Sequence, residues 1–177
     1  MNSISIRQAE EQDLSLLDRA FQSAFKRTHR DDIIDQQAQI LSFYVAWLDS
    51  TPVGHGFVRW ISPRHSTVRA TFPHCPEIYR LEVLEEFRGR SIGTQIISHC
   101  EGEAISRGFN TIGLGVSLNN PKASKLYHRL GYKQLTVIEY LDEYKRQRND
   151  GTIEQVRDPL IWLTKFLDVS DRSTINH

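Results

Sequence analysis

The sequence passes from a strand pattern to a helix pattern through Leu81-Glu82-Val83-Leu84-Glu85-Glu86-Phe87-Arg88-Gly89-Arg90-Ser91-Ile92-Gly93-Thr94. Two glycines and a serine in this turn let backbone N–H groups point into one concavity at the start of a helix. Arg88 and Arg90 add positive charge beside those groups. Since a helix N-terminus attracts anions, the turn predicts a binding site for a diphosphate.

Two nucleotide-binding motifs are absent from the sequence. There is no G-x-x-x-x-G-K-[ST] motif, and Gly113-Leu114-Gly115 lacks a third glycine at position 118. A nucleotide-binding domain is therefore disfavoured. Taken alone, a basic turn of small residues is more typical of an ordinary strand-to-helix connection, so its interpretation depends on its flanks.

The flanks of the turn predict a strand–helix–strand unit. A helical stripe covers residues 92–105, between strand patterns at 77–84 and 110–118. Two strands joined through one helix pair in parallel. A short helix at 123–130 follows the second strand and is closed by Gly131.

The rest of the chain predicts further elements around this unit, in a single domain over residues 1–167 with a polar tail at 168–177. Gly54 and Gly56 lie in a predicted strand, where they indicate a bulge or a close backbone approach. The other patterns predict a strand at 3–7, helices at 14–25 and 33–41, a hairpin of 43–48 with 53–61, an irregular segment at 62–76, a strand at 132–141, a charged segment at 142–158 with a turn at 149–151, and a last strand at 160–167.

Composition narrows the class of protein. Lys plus Arg and Asp plus Glu number 22 each, so no net charge recruits nucleic acid or an anionic membrane. No apolar run is long enough to cross a bilayer, and no secretory signal opens the chain. Cys75 and Cys100 are too few for a disulfide framework and are expected to be free thiols, which fits a cytoplasmic protein. The histidines show no ligand spacing, so no metal is expected.

Two stretches together resemble the GNAT N-acetyltransferase superfamily. Its acetyl-CoA motif is Arg or Gln, two residues, Gly, one residue, then Gly or Ala; Arg88 and Gly93 fit it, whereas Ser91 stands where the middle glycine is usual. The positions that match the family's second stretch are Asn120, Ala123, Tyr127, Gly131 and Tyr132. The resemblance covers residues 53–135.

The resemblance implies an α/β fold with a mixed, mostly antiparallel sheet of six or seven strands flanked by helices. It also implies acetyl-CoA as co-substrate, with the pantetheine arm inserted where the strands carrying Glu82-Val83 and Gly115-Val116 separate. The residues that it assigns to acetyl-CoA binding are Leu81, Val83, Leu84, Arg88, Gly89, Arg90, Ser91, Ile92, Gly93, Thr94, Asn120, Ala123 and Tyr127.

Acetyl transfer to an amine needs an uncharged amine, a donor for the oxyanion and a proton for the departing thiolate. By the resemblance, the Val83 N–H is the oxyanion donor and Tyr127 is the general acid. The pKa of a tyrosine, about 10, exceeds that of a thiol, about 8.5, so Tyr127 can protonate the sulfur at neutral pH. The alternative for Tyr127 is a core aromatic role.

The base has three candidates. Glu77 matches the base of the histone acetyltransferase branch and is predicted to share a strand face with Val83. Glu82 is nearer the thioester in sequence, but alternation directs it to the opposite face. An ordered water serves as base in many relatives, and either glutamate is then simply solvated.

The sequence thus predicts an acetyl-CoA-dependent N-acetyltransferase acting by direct attack in a ternary complex, with a catalytically silent CoA-binding or regulatory module as the alternative. The acceptor is a small-molecule or peptide amine. Asp31, Asp32, Asp142 and Glu143 would favour a cationic one such as a polyamine or an aminoglycoside, although such acids are equally typical of a solvated surface. Relatives commonly pair their last strands into a homodimer.

Overall fold

A computed structural model describes residues 3–21, 27–147 and 150–168. The strands are β1 (Ile4–Gln8), β2 (Leu41–Leu48), β3 (Thr51–Arg59), β4 (Glu77–Val83), β5 (Thr111–Ser117), β6 (Glu139–Gln147) and β7 (Ile153–Phe166). The helices are α1 (Leu14–Ala20), α2 (His29–Gln37), α3 (Ser66–Thr71), α4 (Ile92–Ser106) and α5 (Pro121–Arg129). The strands form one sheet in the order β1-β2-β3-β4-β5-β7-β6, with β4 and β5 parallel and the other pairs antiparallel, so the predicted mixed sheet is confirmed.

The two faces of the sheet carry separate apolar clusters. On one side, which we call the α4 face, Ile96 and Cys100 of α4 pack with Leu114 of the sheet, and α5 packs at the edge of this cluster. On the other side, the α1 face, Leu17 of α1 and Ile33 of α2 pack with sheet aromatics. The apolar stripes that the sequence shows at helical spacing are therefore the buried faces of these helices.

A bulge interrupts β4 at Arg80, where φ is +50°. The pairing register of β3 shifts between His55 and Phe57 at the same place. The Arg80 guanidinium lies 3.0 Å from the buried carboxylate of Asp32 and 4.3 Å from the centre of the Phe57 ring. These contacts hold a backbone conformation that is uncommon for a residue other than glycine.

The bulge reverses the predicted alternation of side chains in the second half of β4. Tyr79 packs on the α1 face, whereas Leu81 and Val83 beyond the bulge pack on the α4 face. Glu82 is consequently on the α1 face, the same face as Glu77. The prediction that Glu77 shares a face with Val83 is wrong, because one inserted residue reverses the alternation. Glu82 does face away from Val83, as predicted, but it shares its face with Glu77.

The predicted close approach at the two β3 glycines is confirmed. A Cβ atom at Gly56 would lie 2.9 Å from the Ile96 side chain, and one at Gly54 would lie 3.2 Å from it. The absence of side chains at these positions therefore lets α4 lie directly against β3.

Several predicted boundaries are wrong. Helix α1 ends at Ala20, because Phe21 is extended; the rest of the helix predicted at 14–25 falls at 22–26, outside the described residues. The second helix is His29–Gln37 rather than 33–41, because Thr28 begins it with a capping box to Asp31. The segment at 62–76 contains α3. Most of the tail predicted at 168–177 lies outside the described residues.

The C-terminal hairpin is longer than predicted. The segment at 132–138 forms no strand. It makes an isolated bridge from Lys133 to Thr164 and accepts the Trp162 N–H at the Ile138 carbonyl oxygen, whereas the charged segment beyond it forms β6 and the start of β7. Cross-strand ion pairs such as Glu143–Arg157 explain how a polar segment forms strands. The last strand, β7, lies between β5 and β6, so the free edge at this end of the sheet belongs to β6.

Candidate functional site

The sheet opens between β4 and β5. These parallel strands pair only where Glu77 meets Gly113 and Ile78 meets Leu114. Both strands continue beyond this point without pairing to each other. The predicted separation of the two strands is therefore confirmed, and it leaves a cleft bordered by the backbone of β4.

The backbone of Val83 faces this cleft. The Leu84 N–H donates to the Val53 carbonyl oxygen across 3.0 Å, and Val83 lies opposite Gly54. Alternate residues of an antiparallel strand direct their N–H and C=O groups to opposite sides, so those of Val83 point away from β3 and toward β5. The Arg88 side chain reaches this edge, where its Nε donates to the Val83 carbonyl oxygen at 3.1 Å.

A cavity of about 340 Å³ lies where the cleft meets the start of α4. The first N–H groups of a helix have no acceptor within the helix, so those of Ile92, Gly93 and Thr94 are available to a ligand. Arg88 and Arg129 add positive charge to the wall. Oriented N–H groups and guanidinium groups together form a site suited to a diphosphate.

The turn owes its shape to two residues with left-handed backbone. Gly89 has a φ of +78° and Ser91, the residue before α4, has a φ of +61°. The Ser91 side chain makes no capping hydrogen bond. The serine that departs from the family motif therefore takes up a backbone conformation that suits the usual glycine.

Seven of the predicted acetyl-CoA residues line this cavity: Val83, Arg88, Gly89, Ser91, Ile92, Gly93 and Thr94. Phe87, Leu126 and Arg129 also line it and were not predicted. Leu126 belongs to the apolar stripe of α5, so its spacing predicts burial and gives no sign of a ligand. Arg129 looks in the sequence like any exposed arginine at a helix C-terminus.

The other predicted acetyl-CoA residues lie elsewhere. The Leu84 side chain packs on the α1 face, and Leu81 and Ala123 pack in the α4-face cluster. The Asn120 side-chain oxygen accepts the Ala123 N–H at 3.1 Å, which caps α5. Arg90 is exposed and its guanidinium lies 5.3 Å from the centre of the Phe87 ring.

Tyr127 lies on α5 with its ring half-buried against the α4-face cluster. The Tyr132 ring is its nearest aromatic neighbour, 6.1 Å between centroids. Burial raises the pKa of Tyr127 above its usual value, so the hydroxyl stays protonated at neutral pH. No hydrogen bond to this hydroxyl is formed by the residues that the structure describes.

A second, smaller cavity of about 100 Å³ lies on the α1 face, lined by Arg64, His65, Glu77, Tyr140 and Asp142. We call it the charged cavity. The Tyr140 hydroxyl lies directly against the backbone of Gly115 in β5, where a Cβ atom would overlap with it. The charged cavity therefore adjoins the separated strands from the face opposite α4.

The two glutamates of β4 have different surroundings. The buried Glu77 carboxylate accepts the Arg64 backbone N–H at 2.6 Å and the Arg64 Nε at 3.3 Å. Glu82 is half-exposed, and its carboxylate lies 3.5 Å from the Nε2 of the buried His55. Hydrogen bonding with His55 lowers the pKa of Glu82, and burial lowers that of His55. The pair is thus an ionised carboxylate beside a neutral imidazole.

Both cysteines are free, as predicted, and both are buried. Burial raises the pKa of Cys75 to about 11 and also raises that of Cys100, so neither thiol is a reactive thiolate at neutral pH. Across 3–21, 27–147 and 150–168, no three His, Cys, Asp or Glu side chains are grouped so as to hold a metal ion. No helix in these ranges is long and apolar enough to span a membrane.

Solved structures share the fold and define its class, the N-acetyltransferase fold. The yncA protein of Salmonella typhimurium, solved with its cofactor acetyl-CoA, matches with a TM-score of 0.62 and 19% identity, over 94% of this chain and 95% of that one. The spermidine/spermine N-acetyltransferase SpeG of Vibrio cholerae matches with a TM-score of 0.67 and 13% identity, over 97% and 96%.

The chain belongs to the acetyltransferase (GNAT) family, whose model matches residues 10–132. An uncharacterized N-acetyltransferase of Methanocaldococcus jannaschii is 34% identical over 100 residues, which are 54% of this chain. The matched part spans 41% of that relative's length. The resemblance seen in the two sequence stretches is thereby confirmed.

Proposed function

We propose that the protein transfers the acetyl group of acetyl-CoA to a primary amine by direct attack in a ternary complex. The observation that carries this proposal is the opening between β4 and β5. This opening adjoins the cavity at the start of α4, whose lining suits a diphosphate, and the charged cavity on the opposite face of the sheet. Two substrates can therefore approach the same opening from different sides.

Acetyl-CoA would enter from the α4 face. Its diphosphate would accept hydrogen bonds from the first turn of α4, beside Arg88 and Arg129. The pantetheine arm would lie along β4, where Val83 presents its N–H and C=O groups. Arg88 would have to give up its bond to the Val83 carbonyl oxygen to admit the arm, and its guanidinium would then be available to phosphate.

Val83 and Tyr127 would act on the thioester. The Val83 N–H, directed into the cleft, would donate to the oxygen that becomes negative when the amine attacks the carbonyl carbon. The attack forms the C–N bond. The C–S bond then breaks, and Tyr127 would give its proton to the departing thiolate. Its raised pKa favours this role, because the hydroxyl is protonated before each turnover.

Glu77 would accept the proton that the attacking ammonium loses first. It lines the charged cavity together with Tyr140, whose hydroxyl lies at Gly115 in the opening. The second proton of the amine would restore Tyr127, so the products are an amide, a free CoA thiol and one proton released to solvent. Glu82, which the bulge brings to the same face, and an ordered water are the alternative bases.

The test is release of free thiol from acetyl-CoA across a panel of amines, with wild type beside Tyr127→Phe. The variant should lose ~10²-fold in turnover while its affinity for acetyl-CoA stays unchanged, because only proton donation is removed. Tyr44→Phe is the matched control, since Tyr44 is buried on the same face but bonds Glu103. Turnover that is unaffected in Tyr127→Phe would exclude the acid role of this residue.

The same assay tests the enzyme against the silent module. A module should bind CoA, detected as a rise in melting temperature, yet release no thiol with any amine. An enzyme should show both. Binding that disappears in Arg88→Gln and Arg129→Gln together would locate the cofactor at the start of α4, and unchanged binding would refute that location.

A further inference from the structure

The charged cavity is lined by a cation, Arg64, and an anion, Asp142, that each have unused hydrogen-bonding atoms. Within the described ranges, neither terminal nitrogen of Arg64 has a hydrogen-bond acceptor, because only its Nε and backbone N–H bind Glu77. Its guanidinium is held in place 4.4 Å from the centre of the Tyr79 ring. The side chain of Asp142, which also lines the cavity, makes no hydrogen bond or ion pair to any described residue. The terminal nitrogens of Arg64 and the carboxylate of Asp142 are thus available to a ligand in the cavity, although the Nε of Arg64 is paired with Glu77.

The size of the cavity limits which part of an acceptor molecule Arg64 and Asp142 can contact. A volume of about 100 Å³ is well below the roughly 300 Å³ or more of cavities that enclose a whole small-molecule ligand. An acceptor can therefore insert its amine and the atoms bonded to the amine carbon, while the rest of the molecule stays outside. Arg64 and Asp142 consequently act on the immediate substituents of the reacting amine.

The acids outside the cavity do not favour a polycation. Asp32 is buried between Arg27 and Arg80, and Asp31 binds the backbone N–H and the hydroxyl of Thr28. Together with Asp142 and Glu143, these acids were the basis for expecting a cationic amine such as a polyamine or an aminoglycoside, and here Asp31 and Asp32 support the structure of α2.

The hairpin acids are engaged in the same way. Glu143 pairs with Arg157, and Asp158, which lies opposite Asp142, accepts the Ser117 hydroxyl at 2.6 Å. A second ammonium group beyond the cavity would therefore find acids that already have partners.

We propose, building on the proposed function, that the acceptor is an α-amino-acyl group: an amine whose own carbon carries a carboxylate or an amide carbonyl. Asp142 pairs with the ammonium as it enters, and the terminal nitrogens of Arg64 donate to the carboxylate or carbonyl oxygen. A free amino acid and the N-terminus of a peptide both have this chemistry. A polyamine or an aminoglycoside presents no oxygen acceptor of this kind beside its primary amine and brings further cations toward Arg64.

The experiment compares L-alanine, L-alaninamide, ethylamine and spermidine as acceptors, with thiol release as the readout. Ethylamine is alanine without its carboxylate, so the ratio of kcat/KM for the alanine compounds over ethylamine isolates the role of Arg64. We expect this ratio to be about 10 to 100 in the wild type, as for one charge-assisted hydrogen bond, and to appear in KM. A preference for alanine over alaninamide would identify a free amino acid, and the reverse a chain N-terminus.

The variants separate the two cavity residues. Arg64→Gln should bring the ratio close to one, and the backbone N–H at this position still binds Glu77. Asp142→Asn should raise KM for every amine about 10-fold or more. Arg157→Gln and Glu143→Gln are the matched controls, since these residues form an exposed pair on the same hairpin, and both should keep wild-type ratios.

Two outcomes contradict the inference separately from the proposed function. Thiol release with spermidine or ethylamine at or above the alanine compounds keeps the enzyme and excludes the α-amino-acyl acceptor. If no amine releases thiol, the proposed function fails, and the acceptor class is then tested by binding. Alaninamide should still raise the melting temperature of the CoA-bound protein more than ethylamine does. An equal rise with both amines, or no rise with either, would refute the inference.

Discussion

Ser91 departs from the family motif but keeps the left-handed backbone conformation that the motif's usual glycine suits. A left-handed backbone costs about 1 to 2 kcal/mol for residues with a side chain, and glycine avoids this cost but loses about 0.5 to 1 kcal/mol of unfolded-state freedom. The two effects nearly cancel, with a small balance in favour of glycine. Because the Ser91 hydroxyl makes no capping bond, nothing else is lost when it is removed.

We therefore expect Ser91→Gly to raise the free energy of unfolding by about 0.5 kcal/mol and to leave CoA binding intact. The control is the same substitution at Ser98, an exposed position inside α4. There the helical backbone favours serine, so Ser98→Gly should lose about 0.5 kcal/mol. Urea denaturation of the two variants should give opposite signs; two losses would show that Ser91 is unstrained.

At the scale of the elements, the sequence predicts the parts of the fold that follow from periodicity. The α4 stripe and the strands on either side of it have the predicted order and pairing. The bulge in β4 could not be predicted, because it depends on Arg80 meeting Asp32 and Phe57, which lie far away in the sequence. Glu77 and Glu82 share a face only because of the bulge, so this part of the candidate site could not be predicted from the sequence.

The two cavities also differ in how far they could be predicted from the sequence. The wall at the start of α4 is local in sequence, and most of it was identified from the motif. The charged cavity joins residues from the α3 segment, β4 and β6. Only Glu77 among its lining residues had been singled out as catalytic, since neither Arg64 nor Tyr140 has a sequence pattern that distinguishes it from a surface residue.

The ion pairs of Asp32 connect α2 to the β4 bulge, and their loss should be costly. Asp32 is fully buried and is the carboxylate partner of both Arg27 and Arg80. Asp32→Asn leaves two guanidinium groups without that charge, and we expect the free energy of unfolding to fall by about 3 kcal/mol. Thermal or urea denaturation measures this loss.

The comparison for this prediction is Glu143→Gln, which removes an ion pair of exposed residues on the hairpin. Such pairs contribute less than about 1 kcal/mol, so the control should remain close to wild type. Equal losses in the two variants would mean that burial of Asp32 adds nothing to its ion pairs.

At the scale of the whole molecule, folding lowers the pKa of two histidines and thereby makes stability depend on pH. Burial lowers the pKa of His55 below its usual value of 6.5, although the Glu82 carboxylate opposes this and Arg80 and His29 reinforce it. Burial lowers the pKa of His99 in the same direction. Between the unfolded pKa and the lower folded one, the unfolded chain binds protons that the folded protein does not.

Unfolding in that range therefore takes up protons, and the free energy of unfolding should fall as the pH decreases below about 6.5. One proton per molecule corresponds to a slope of about 1.4 kcal/mol per pH unit for His55. His55→Gln should remove this part of the slope just below pH 6.5. Urea denaturation at half-unit pH steps measures it, and a slope that persists unchanged in His55→Gln would show that this buried imidazole is not the group that titrates.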